Sequence, residues 1–142
     1  MSSEVAHAIA RVLVSIVFIV FGFLQFTNIP GYAANPTVLK AVALTGGILT
    51  PTIIAYLVAA IDLFGGLCIL LGLKTRWASV VLIVFVFLTL ILAHNFWSME
   101  GPARAANMAN FYKNLVIIGA LIMLCIWGGG LYSVDAKLAK RT

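Results

Sequence analysis

Four long apolar runs constrain this chain more than any other feature. They are Val5–Phe26, Thr52–Leu73, Trp77–Ala93 and Leu115–Gly128, the last reaching back through Phe111. Each is near the ~20 residues with which a helix crosses ~30 Å of hydrocarbon. Period-two alternation is absent, and an open sheet would leave its edge groups unpaired in lipid. Composition removes the soluble alternative. Of the 142 residues, 63% are hydrophobic and 9% charged, with a mean hydropathy of +1.14. A soluble domain carries about 25% charged residues, so a globule of this composition could not cover its surface in water. The sequence therefore predicts an all-α integral membrane protein, a single four-helix bundle over 1–142 with spans at about 5–26, 52–73, 77–97 and 110–130. The first 26 residues also fit a secretory leader, with an apolar core from Val12 to Leu24 and Ala33 as a tolerable cleavage point. The reading taken is a retained first span.

The net charge of +5 is no nucleic-acid footprint, because the basic residues are scattered and most sit beside span ends. Their placement gives orientation instead. An even number of crossings puts both termini on one side, with Arg11, Lys74, Arg76, Lys137, Lys140 and Arg141; the other side has Lys40, Arg104 and Lys113. Both termini are expected in the cytoplasm, and the multi-pass chain in a bacterial inner membrane. Cys68 and Cys125 form no CxxC pair and are read as packing residues. Between the first two spans, "NIPGYAANP" is turn chemistry and "TVLKAVALTGGIL" is too short to cross, so it is expected at the interface or as a partial helix on the bundle. "GLKTR" forces a tight hairpin between spans two and three. "GGG" at 128–130 stops the fourth span, and Ser133 is a helix cap in a short basic tail.

Charges within a span cost about 2.5–3.5 kcal/mol each on the mildest scale, so Arg11 and Asp62 need a reason. Arg11, Ser15, Phe18, Gly22 and Gln25 form one helical stripe, and Ala55, Ala59, Asp62 and Gly66 another. Counted from the terminal side, Arg11 and Asp62 differ in depth by only about 8 Å. A buried Arg11–Asp62 ion pair is expected, with Arg11 reaching to the headgroups as the alternative. The second polar concentration lies in "ILAHNFWSMEGPARAANMANFYKNLVII", Ile91 to Ile118. Asn107, Asn110 and Asn114 share one face of the fourth helix with Phe111, and the hairpin brings His94 to their level. Gln25, at the outer end of the first span, is expected there too. Trp97, Tyr112 and Lys113 fit an interfacial belt. The cluster has no paired carboxylate, metal-ligand set or nucleophile with its base, so no metal is expected.

"ARVLVSIVFIVFGFLQF", "DLFGGLCILLGLKTRWAS", "HNFW" and "NFYKNLVIIGALIML…GGGLYSVD" resemble the DoxX family over nearly the whole chain. The specific part is the combination of Arg11, the "GGxxxLLGLxTR" run, His94, the Lys113–Asn114 pair and the terminal "GxxSxD". The resemblance implies a four-helix membrane bundle. Asp62 stands where the family usually has glutamate, and Gln25 where lysine is common. Relatives are associated with membrane oxidoreductase assemblies, which implies a site for a quinone or small redox substrate in an outer-side polar chamber. His94, Asn107, Asn110 and Asn114 would donate hydrogen bonds there, beside Phe111 and Gln25. No haem, flavin or iron–sulfur motif is present and no covalently bound cofactor is expected. The partners expected are the lipid bilayer and either a redox partner or other membrane subunits. The competing reading is a non-catalytic accessory or assembly subunit packed against a larger membrane complex. A transporter is third, since a four-helix chain without repeats leaves little room for alternating access.

Overall fold

A computed structural model describes residues 2–140, all helices and connections, with no strand among them. Arg141, counted above among the terminal-side cations, lies outside the described residues. The four spans are α1 (Ser3–Thr27), α4 (Pro51–Leu71), α5 (Thr75–Ala93) and α6 (Gly101–Trp127). Three short helices complete the order: α2 (Ile29–Ala33), α3 (Pro36–Leu44) and α7 (Val134–Ala139).

Local signals set the boundaries. Three helices in succession open on a side-chain cap followed by proline in the first turn. Asn28 accepts from Gly31 ahead of α2, Asn35 from Thr37 ahead of α3, and Thr50 from Ile53 ahead of α4. The cap satisfies an orphan N–H, and proline has none to lose at that position. At the other end of α4, Gly72 adopts φ +67°, and the Leu73 amide bonds back to the Cys68 carbonyl at 2.9 Å, which closes the helix. Span four begins at Gly101, nine residues ahead of 110. Pro102 occupies its first turn, and Ala103, Ala105 and Ala106 carry the helix through a stretch too polar to be recognised as membrane.

α1 packs along α4, α4 against α5, and α5 against α6; α1 and α6 meet only sparingly. One core joins all four through Phe18, Ile69, Leu82, Val86, Leu121 and Leu124. Without a hydrophobic drive between helices in lipid, close approach at small residues does the work. A side chain added at Gly66 would meet Phe18 at 2.9 Å, and one at Gly22 would run into the Leu63 backbone. Both expected stripes are the buried ones: Arg11, Ser15, Phe18 and Gly22 on α1, and Ala55, Ala59, Asp62 and Gly66 on α4.

These contacts fix the register. Gly22 lies opposite Leu63, and Phe18 and Ile19 opposite Gly66, so α1 ends about halfway along α4. α2 takes over from it, with Ile29 and Ala33 packing on Ala55 and Ala59. α3 then reaches α5, where Lys40 Nζ donates to the Leu92 carbonyl at 3.0 Å. The connection expected at the interface or on the bundle is thus part of the bundle, filling the half of α4 that α1 leaves bare.

Candidate functional site

Three polar centres sit at three depths. The deepest in the bundle is Asp62, 4% exposed, which accepts from Gln25 Nε2 at 3.0 Å. The expected Arg11–Asp62 ion pair is not formed. In the observed register Arg11 lies against Gly72, ten residues beyond Asp62, or about 15 Å along the helix. The depth estimate failed because it set the terminal ends of α1 and α4 level. The first two turns of α1 instead run past the α4–α5 turn, and His7 Nε2 hydrogen-bonds the Gly128 carbonyl at 3.0 Å beyond α6. Tyr32, which the sequence did not single out, lies on α2 over the same half of α4. It packs against the Ala55 and Ala59 surface of α4.

The second centre is at the terminal end. Arg11, 4% exposed, donates from Nη2 to the Tyr132 carbonyl at 2.6 Å and leaves Nε and Nη1 without partners. Beside it Asp135 closes the start of α5. Its carboxylate accepts from the Lys74 amide at 2.7 Å, the Thr75 amide at 3.0 Å and the Thr75 hydroxyl at 3.1 Å. Burial raises the Asp135 pKa; the bonds from Thr75 and Lys74, helped by the Arg11 charge, outweigh it and leave the pKa below the usual carboxylate range. The Asp135 amide returns a bond to the Gly72 carbonyl at 2.9 Å, and Ser133 caps α7 as expected. Arg11, "GLKTR" and "GxxSxD", distant in sequence, meet in this clasp.

The third centre is at the hairpin end, where α5 gives way to a short 3-10 turn (Phe96–Ser98) before α6. His94 Nδ1 and Asn107 Oδ1 are 3.0 Å apart, and Asn107 Nδ2 donates to the Ala103 carbonyl at 2.9 Å. With the amide so oriented, Oδ1 must accept; the hydrogen-bond network therefore assigns the proton to Nδ1 and the lone pair to Nε2. Nε2 has no partner among the described residues. Next to it Asn95 donates from Nδ2 to Ser98 Oγ at 2.7 Å, while its own Oδ1 is buried and unpartnered. Asn110, Phe111 and Asn114 are half-buried on the Asn107 face of α6. Phe111 packs edge-on against Phe96 (5.4 Å between centroids) and Trp97 (5.9 Å), with Tyr112 alongside (5.8 Å). Gln25 is not part of this centre. Gly65 packs on Leu82, which places His94 level with the first turn of α4 and Gln25 about 10 Å deeper. Asn95 was passed over because its sequence signal, an asparagine ending a span, is the same as that of a helix stop.

A four-helix integral membrane bundle with a polar centre in the turn between its last two spans is the class of protein the geometry defines. The DoxX family pattern matches residues 6–95, and the chain belongs to that family. It is 34% identical to the inner membrane protein YphA of Escherichia coli over 91% of this chain and 87% of that one. It is also 34% identical to the E. coli inner membrane protein YqjF, over 97% and 95%. A putative oxidoreductase of Bacillus subtilis, CatD, is 29% identical over 98% of this chain and 91% of its own. No solved structure matches.

Proposed function

We propose that this DoxX protein is a redox-associated membrane component that binds a quinone, or a small redox substrate of like chemistry, at the hairpin end, and binds it best in the reduced, hydroxyl-bearing form. The observation that carries the reading is the pair of free acceptors on consecutive residues, His94 Nε2 and the buried Asn95 Oδ1. Donors to a carbonyl were expected from the sequence; acceptors for an O–H suit a quinol instead. The Phe96, Trp97, Phe111 and Tyr112 rings supply flat apolar walls of the kind such sites use. His94 takes one proton at Nε2 as the quinol is oxidised, and Asn107 Oδ1, accepting from Nδ1–H, steadies the imidazolium that results. The second proton goes to water. The sequence carries no motif for a redox group, so the two electrons pass to a partner that holds one. The CatD resemblance agrees with such a role.

The test is His94→Ala and Asn114→Ala, each first shown to fold and accumulate normally. Quinone content and quinone-dependent activity of the purified assembly are expected to fall in both. Wild-type values in both, together with loss of co-purifying subunits, would make the cluster a docking surface and the chain an accessory subunit.

A further inference from the structure

The terminal end carries open space that the hairpin-end reading does not use. A cavity of about 420 Å³ opens there, walled by Lys74, Arg76, Trp77, Trp127 and Gly128–Gly130. It adjoins a groove of about 890 Å³ between α1 and α6, and the two share Trp127 and Gly130. Ala6, Ala10, Val14, Ala120, Met123 and Leu124 line the groove, with Ser3, Glu4 and His7 at its mouth.

We infer that this composite site holds a single anionic phospholipid, its phosphate between Lys74 and Arg76 and one acyl chain in the α1–α6 groove. Three observations favour that occupant. The first is charge. Lys74 and Arg76 form no ion pair among the described residues. The one carboxylate in the cavity, Asp135, is already occupied by three N–H and O–H donors. Glu4, at the groove mouth, drives a phosphate toward the cationic side. The second is the backbone at Lys74, which sits at φ +45°. Glycine or asparagine is the usual choice in that region, and lysine adds a cation there. The third is the groove's lining and extent. Below its polar mouth it is apolar, walled by Ala10, Val14, Ala120, Met123 and Leu124, and it stops at Val14 and Ala120, well short of the far end of either span. A partner's spanning helix would need the full thickness, whereas an acyl chain needs only part of it. The two exposed tryptophans lie where such rings flank headgroups.

The full chain is reconstituted in nanodiscs of equal parts phosphatidylglycerol and phosphatidylcholine, re-extracted in mild detergent, and its retained lipid counted by native mass spectrometry. Wild type is expected to retain phosphatidylglycerol over phosphatidylcholine by about thirtyfold, the scale two interfacial cations at about 1 kcal/mol each produce. Lys74→Asn with Arg76→Gln is expected to abolish the preference. The Lys74 amide still reaches Asp135 in that variant, and an unchanged melting temperature shows it. Ala10→Phe, which fills the groove from its lipid side, is expected to lower retention of both lipids. Equal retention by wild type, or a preference that survives the double substitution, overturns the inference. So does displacement of the retained lipid by inorganic phosphate alone, which would make the cavity a site for free phosphate.

Discussion

Arg11 and Asp62 are the two charges that lipid should punish most, and each is accommodated by a different neighbour. Arg11 turns to the Tyr132 carbonyl at the terminal end; Asp62 takes the Gln25 amide in mid-bundle. Sites this far apart, sharing no partner, have additive effects to within about 0.5 kcal/mol. Unfolding free energies of Arg11→Gln, Asp62→Asn and the double variant, measured in detergent, should therefore sum. A coupling above about 1 kcal/mol would restore the ion pair. The faces of both residues were legible in sequence, since a period of 3.6 fixes which residues share a stripe. Their relative depth was not. It depends on how far one helix slides along another, which is decided at Gly22 and Gly66 by backbone approach, and a stripe carries no mark of that.

At the scale of elements, the clasp between α7 and the start of α5 is the feature with the clearest electrostatic signature. Asp135 caps a 19-residue helix from a segment sixty residues away. Its folded pKa is lowered, so its contribution is fully present above the unfolded value, near 3.9, and is lost as pH falls through the folded value. Melting temperature should accordingly hold between neutral pH and about pH 5, and drop below about pH 4. Asp135→Asn should melt lower at neutral pH and lose part of that acid-limb slope. An Asp135→Asn protein with the wild-type neutral melting temperature would mean that the clasp adds nothing. "GGG" and Ser133 announced the end of α6 and the start of α7 in sequence. The Asp135–Thr75 contact was silent, because a cap supplied from another element leaves no local pattern. The same holds at the hairpin end: His94 and the asparagine face were readable, whereas the His94–Asn107 contact that leaves Nε2 free is made between elements.

For the whole molecule, the clasp and the hairpin centre lie at opposite ends of the bundle, so orientation decides which compartment each one meets. The terminal end carries Arg11, Lys74, Arg76, Lys137 and Lys140 against Lys40, Arg104 and Lys113 at the other. The positive-inside rule then predicts cytoplasmic termini. Ala103→Cys, exposed at the first turn of α6, should react with an impermeant thiol reagent on intact cells; labelling only after permeabilisation would invert the protein. The hairpin centre would then face outward, level with the outer headgroups, where a quinol can enter sideways from the membrane. The proton transfer proposed for that centre rests on one nitrogen, and the chain has only two histidines to tell apart. The most direct measurement is therefore ¹⁵N NMR of the histidine side chains in the purified protein, with and without an added short-tailed quinol, using a His7→Gln variant for assignment. His94 should show a protonated Nδ1 and a lone-pair Nε2, and Nε2 should shift on quinol addition while His7 stays fixed. A protonated Nε2 in the free protein, or a His94 signal that quinol leaves unmoved, would contradict the account.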